Sequence, residues 1–435
     1  MHIPNKGYQK LIAFADDTNF LTRDNKSIDK ILKTFNRFGK GSGSKINVDK
    51  TKCMRIGRWN TTDENSDHIT FNLKWVQEIK LLGIYYTNAT DQVTENNWNS
   101  ILQKAEQNLG KIYYKQSSIF GRALLVNVFI EPKLIYPATT LDPPKTLMKE
   151  LKKTVRNYIF KGTLPCIKHV TLIQPKSKGG IGLHDFDLKI TSLRLKYLNE
   201  VISNPRDFPL ASYFLANSIP QLFHNTDCRM YDSIEREDTI PSFYKEMLHD
   251  LKNNEDIFHS NTPKLFYNQL VCKKEGDLNT QIKRYDQTND GMPDVHTLFT
   301  NIHSNEYLSP TQRQLSYRIF FGITPTSEGL AKRHKKVFSC KICNDEQETE
   351  EHIFYYCPFI QLTKLNLIKL LRQPHNTLFN VYNAIFLNIV PYDACETRNK
   401  FKALYIHVYK ETIWKVRNLA THQSYNFEKE AILKI

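Results

Sequence analysis

The chain has 435 residues, 40% of them hydrophobic and 12% aromatic, enough to build packed cores and too much for wholesale disorder. Lysine and arginine number 60 against 45 acids, a formal charge of +15, which points to a polyanionic partner, either nucleic acid or an acidic membrane surface. No apolar stretch approaches the roughly 20 residues of a spanning helix, no apolar leader follows Met1, and cysteines spread this thinly do not make a disulfide scaffold. The expectation is a basic, soluble protein of a reducing compartment, with roughly two or three domains.

Residues 8–22 read as two strands, Tyr8 to Phe14 and Thr18 to Thr22, joined by a turn at Ala15-Asp16-Asp17. Ile28, Ile31, Leu32, Phe35 and Phe38 then keep a helical period, with Ser27 as the expected cap and Gly39 to Gly43 as the stop. A second strand pair is expected around Thr51–Gly57 and Ile79–Thr87, completing a compact α+β subdomain. Trp98, Ile101, Leu102, Ala105, Leu109, Ile112 and Tyr113 mark a long amphipathic helix. Helical character resumes from Ile119 to Tyr136 across Pro132, and Pro143-Pro144 breaks the chain before a basic helix.

In that helix Leu147, Leu151, Val155, Tyr158 and Ile159 share one side, while Lys145, Lys149, Lys152, Lys153 and Arg156 take the others. More than half of the net charge lies between Lys145 and Glu200, where twelve Lys and Arg face four acids. A basic helix side serves equally as solvated surface or as phosphate contact, and clustering on an already basic chain favours phosphate. Pro175 to Leu183 is a turn whose glycines suit positive φ. Residues 203–300 are polar and irregular, read as a loosely helical insert or linker, and helices resume after a cysteine-bearing stretch at 340–357.

Two features carry chemistry. Asp16 and Asp17 are adjacent carboxylates that a turn can present to one site, and their repulsion is most readily offset by divalent cations such as the Mg²⁺ of nucleotidyl transfer. For an isolated pair, an ordinary Asp-rich turn is the commoner explanation. Cys340, Cys343, His352 and Cys357 form a C-x₂-C-x₈-H-x₄-C pattern, an accepted set for structural Zn²⁺, with Thr349 as a cap for a short helix carrying His352. Cys53, Cys166, Cys228, Cys272 and Cys395 have no partner spacing. Lys332, Arg333, His334, Lys335 and Lys336 precede Phe338, a run that suits RNA binding, a nuclear-localisation patch or plain solvation.

Taken in order, Phe14-Ala15-Asp16-Asp17, the Gly-terminated helix, Lys45 to Lys52 and Leu82-Gly83-Ile84 resemble the back half of the palm of non-LTR (LINE-type) retrotransposon reverse transcriptases. Pro175 to Leu183 resembles that family's post-thumb segment, and the Cys/His pattern preceded by Glu348-Thr349 its C-terminal zinc segment. The resemblance implies a partial palm over 1–90, a helical thumb and post-thumb region over 91–202, a polar helical insert or linker over 203–325, and zinc segment with C-terminal helices over 326–435. It implies Asp16 and Asp17 as Mg²⁺ ligands, Lys50 near the leaving pyrophosphate, and Leu82, Gly83 and Ile84 as the hairpin gripping the primer. The implied partners are RNA template and DNA primer, or their duplex, in a nuclear and cytoplasmic ribonucleoprotein with no membrane. The family also needs a third carboxylate and fingers upstream of the pair, for which the residues before Asp16 leave no room. The expectation is therefore a C-terminal portion of an RNA-directed DNA polymerase, inactive alone; the alternative is a non-catalytic RNA or RNA–DNA binding module.

Overall fold

The computed structural model describes residues 2–3, 7–8, 11–14, 17–22, 24–56, 73–87, 90–113, 117–161, 167–216, 218–219, 240–258, 262–274, 278–285, 295–326, 339–344, 347–371 and 380–422. Helix dominates, and a few short strands near the start of the chain pair two by two, an α+β composition.

Strand β1 (His2–Ile3) pairs with β2 (Gly7–Tyr8), and β3 (Leu11–Phe14) pairs antiparallel with β4 (Asp17–Phe20), with Phe14 opposite Asp17. Tyr8 thus belongs to a ladder separate from Leu11–Phe14 rather than to one long strand. The second expected strand pair is also corrected. Strand β5 (Lys52–Cys53) pairs in parallel with β6 (Lys74–Trp75), while β7 (Glu78–Leu81) turns back on itself into β8 (Ile84–Thr87). The 79–87 run is a hairpin because Leu82-Gly83 is a two-residue turn, and a hairpin satisfies its own inner backbone groups without the upstream strand.

The first helix, Asn25–Ser42, is capped by Asp24 rather than Ser27: the Asp24 carboxylate accepts from the Ser27 backbone N–H at 2.7 Å. It ends at Gly43, as expected, whose φ of 74° lets its N–H reach back to the Gly39 carbonyl. The expected helix between 119 and 136 divides into Ile119–Phe129 and Glu131–Ala138. Pro132 stands in the first turn of the second, where a missing N–H costs nothing.

The chain forms two compact units. The first comprises Met1–Gln107, Pro132–Lys152 and Phe186–Leu270. Its core takes Trp98, Leu134, Leu147, Leu195, Leu198, Leu215, Met247 and Phe266, all nearly inaccessible. The region expected to be a loose insert therefore supplies core residues from the helices Pro209–Leu215, Ser242–Lys252 and Pro263–Cys272. Arg194, on helix Phe186–Ser203, pairs with Asp142 and, at 3.2 Å, with Asp250, and burial raises both carboxyl pKa values while the guanidinium opposes the rise. The β3–β4 hairpin differs in kind: Leu11, Ile12 and Phe14 are exposed, and helix Asn25–Ser42 has no buried side chain.

The second unit comprises Asn108–Glu131, Lys153–Asp185 and Val271–Ile435. Its spine is the helix Glu396–His422, against which Pro310–Phe321 and Gln361–Leu371 pack. The Pro175–Leu183 turn is held in this unit. Gly179 has φ 82°, its carbonyl accepts from the Tyr317 hydroxyl at 3.0 Å, and a Cβ at Gly180 would stand 1.6 Å from the Gln174 carbonyl oxygen. Only glycine fits there.

Candidate metal centre and nucleic-acid surface

The four residues of the Cys/His pattern converge. Cys340, Cys343, His352 and Cys357 are all buried, and one ligand atom from each lies within 4.8 Å of the others. A tetrahedral zinc with Zn–S bonds of about 2.3 Å sets its sulfurs roughly 3.8 Å apart, so the donor set fits a metal such as zinc. Among the described residues this is the one such group.

Local structure explains the convergence. After the C-x₂-C, Asn344 takes φ 63° and its N–H returns to the Cys340 carbonyl at 2.8 Å, folding both thiols to one side. Ser339 and Gln347 form a bridge that closes the loop. The Thr349 hydroxyl accepts from the His352 N–H at 2.9 Å, the cap expected from sequence. A π-helical turn, His352–Tyr356, then carries the chain to Cys357, whose N–H donates to the His352 carbonyl at 2.7 Å. His352 Nε2 stands 3.3 Å from Cys343 Sγ. The hydrogen bond between Cys357 and Cys340 lowers the Cys340 thiol pKa and raises that of Cys357. The thiolate is the form that binds metal.

Residues outside the ligand set fasten the module to the spine helix. Glu348 is fully buried; its Oε1 accepts from Arg417 Nη2 at 2.7 Å and Nε at 3.3 Å, and its Oε2 accepts from the Lys341 N–H at 3.2 Å. The Tyr409 hydroxyl donates to the Phe354 carbonyl at 2.8 Å, and Phe354 stacks on Trp414. Glutamate beside the ligands was visible in the sequence; its partner, far along the chain, was not.

The basic helix, Lys145–Phe160, buries Leu147, Leu151, Val155, Tyr158 and Ile159 as its periodicity required. Lys145, Lys149 and Lys153 are exposed, and Arg156 is half-buried. Lys152 is tied to Asp187 at 2.5 Å and is a weaker candidate for phosphate contact. Lys332, Arg333, Lys335 and Lys336 lie outside the described residues, as do Phe338, Cys166 and Cys228.

Of the aspartate pair, Asp16 lies outside the described residues. Asp17 is exposed at the start of β4, and among the described residues no cluster of three metal-binding side chains includes it. Asn47 and Lys50 share a local turn, in which the Asn47 side chain accepts from the Lys50 N–H at 3.2 Å and the Lys50 side chain is exposed. Leu82 and Gly83 form the β7–β8 turn, and Ile84 is buried. Two further residues fasten that hairpin. Asn97 donates to the Tyr85 carbonyl at 2.7 Å and accepts from its N–H at 2.9 Å, and the Tyr136 hydroxyl donates to the Leu82 carbonyl. No family model matches the sequence.

Proposed function

We propose that the chain belongs to the reverse transcriptases of non-LTR retrotransposons and that its own activity is to bind RNA or RNA–DNA duplex. The observation carrying this reading is the Lys145–Phe160 helix, whose apolar side is buried while Lys145, Lys149 and Lys153 stand in solvent. Cations fixed on a rigid helix neutralise phosphates and release counterions, so affinity falls steeply with salt. Cys340, Cys343, His352 and Cys357 would hold zinc as a structural clamp, leaving no position open for catalysis. The described residues do not build a Mg²⁺ site around Asp17.

The test is anisotropy with a labelled RNA–DNA duplex across a salt series. Converting Lys145, Lys149 and Lys153 together to alanine flattens the slope of log K against log salt by about 2 to 3, near 0.9 per lost duplex contact. Binding that stays flat with salt, or an unchanged slope in the triple variant, counts against the proposal. The ordered palm-like motifs favour a second reading, polymerisation itself. Templated extension by the purified chain with Mg²⁺ or Mn²⁺ would assign it that activity.

A further inference from the structure

The spine helix of the second unit, Glu396–His422, is sorted the wrong way round for a helix at a water boundary. It buries Lys402, His407, Lys410 and Arg417, yet Phe401, Tyr405 and Val408 stand 41%, 37% and 43% exposed. An outward helix face is ordinarily polar, and a contiguous apolar patch marks an interaction surface. Beside it Tyr307, 48% exposed, stacks on Phe401 with ring centroids 5.3 Å apart. The spacing is specific as well. Phe401, Tyr405, Val408, Thr412, Lys415 and Leu419 follow one another at alternating steps of four and three, the heptad seam along which one helix packs on another.

Charge and area indicate what the seam takes. The neighbouring charges are of both signs: Lys400 pairs with Glu396 at 3.2 Å and Glu306 at 3.5 Å, Lys415 with Glu411 at 2.9 Å, and Arg398 with Asp393 at 3.7 Å. A nucleic-acid strand would meet those acids as well as the cations. A second copy of this chain carries the same mixed rim, so a two-fold pairing can set each acid against the other copy's cations. The four exposed side chains offer roughly 300 Å² of apolar area, the centre of a contact whose usual size is about 800 Å² per partner. Such an area makes a reversible dimer rather than an obligate one.

We infer that the stripe of Phe401, Tyr405 and Val408 is a self-association surface, on which a second copy of this chain docks through the same helix. The test is sedimentation velocity of the full chain without nucleic acid, between about 1 and 100 μM, a range that brackets a reversible contact of this area. The wild type passes from monomer towards dimer across that range. Val408→Glu places a carboxylate in the seam and raises the dissociation constant at least about tenfold, and Tyr405→Glu does the same. Both variants keep the wild-type melting temperature at the lowest concentration, because the side chains they replace are exposed. Thr412→Ile adds an apolar side chain to the seam and lowers the constant about tenfold. Where the glutamate variants melt early, Thr412→Ile decides alone. A wild type that stays monomeric at the top of the range overturns the inference, as does a dimer whose dissociation constant none of the three variants moves. A monomer that binds labelled RNA–DNA duplex and loses that binding on Val408→Glu assigns the stripe to nucleic acid and overturns it too.

Discussion

Arg417→Met removes the ion pair that ties the metal module to the spine helix. Glu348 has no solvent exposure, and its carboxylate accepts two hydrogen bonds from Arg417, at 2.7 and 3.3 Å, and one from the Lys341 backbone at 3.2 Å. Removing the guanidinium takes the only cation shown paired with this buried carboxylate among the described residues, at a cost of about 3–5 kcal/mol. For a unit of this size each kcal/mol moves Tm by about 2–4 °C, so a fall of roughly 6–20 °C is expected by calorimetry. Adding Glu348→Gln removes the stranded charge while leaving an oxygen for the Lys341 N–H, and most of the loss returns. Because Glu348 lies between Cys343 and His352 in sequence, the single variant also weakens zinc by about 10- to 100-fold in chelator competition. An Arg417→Met chain melting within about 1 °C of wild type refutes this reasoning, as does a double variant no more stable than the single.

Three further outcomes are expected. The purified chain carries one zinc per molecule, and Cys340→Ser abolishes it with a lowered Tm; metal-free protein of unchanged stability would exclude a structural ion. Burial, reinforced by Lys410, holds the His407 pKa near 3, and burial with Lys176 and Arg313 nearby holds that of His303 near 4. Unfolded imidazoles protonate near 6.5, so this stabilisation is complete above about pH 6.5 and drains away towards pH 4; denaturant melts should show that slope, and His407→Leu should flatten it. Iodoacetamide should modify Cys395 at least about tenfold faster than Cys53 at pH 7.5. The Arg398 and Thr397 N–H groups and the Arg398 charge lower the Cys395 thiol pKa, whereas burial raises that of Cys53. Equal rates would contradict that assignment.

Period and punctuation made the helices readable. The buried set on Lys145–Phe160 includes every residue its spacing demanded, with Met148 and Phe160 besides, and the breaks near Pro132 and at Gly43 fall where proline and glycine place them. Ligand spacing likewise exposed the Cys/His centre, because a metal's geometry writes itself into short intervals. Strand pairing was less readable: a two-residue strand such as Lys52–Cys53 has too few side chains to show a period, and its partner Lys74–Trp75 lies beyond a long intervening stretch. Contacts between distant helices left no trace at all. Nothing near Glu348 announces Arg417, and nothing near Leu82 announces Tyr136, because each pairing is decided by how packed helices bring remote positions together. The 203–300 region misled for a related reason: its polar surface outnumbers the few residues, such as Met247 and Phe266, that enter the core.

The Glu348–Arg417 pair also sets an order of events in synthesis. Arg417 is translated sixty positions after Cys357, which at about 5–20 residues per second is a delay of roughly 3–12 s. During that interval all four ligands exist while the helix that buries Glu348 does not. A nascent chain in that window presents its thiols to solvent, open to oxidants and to competing metals. Zinc captured in that window would protect them before the spine helix is complete.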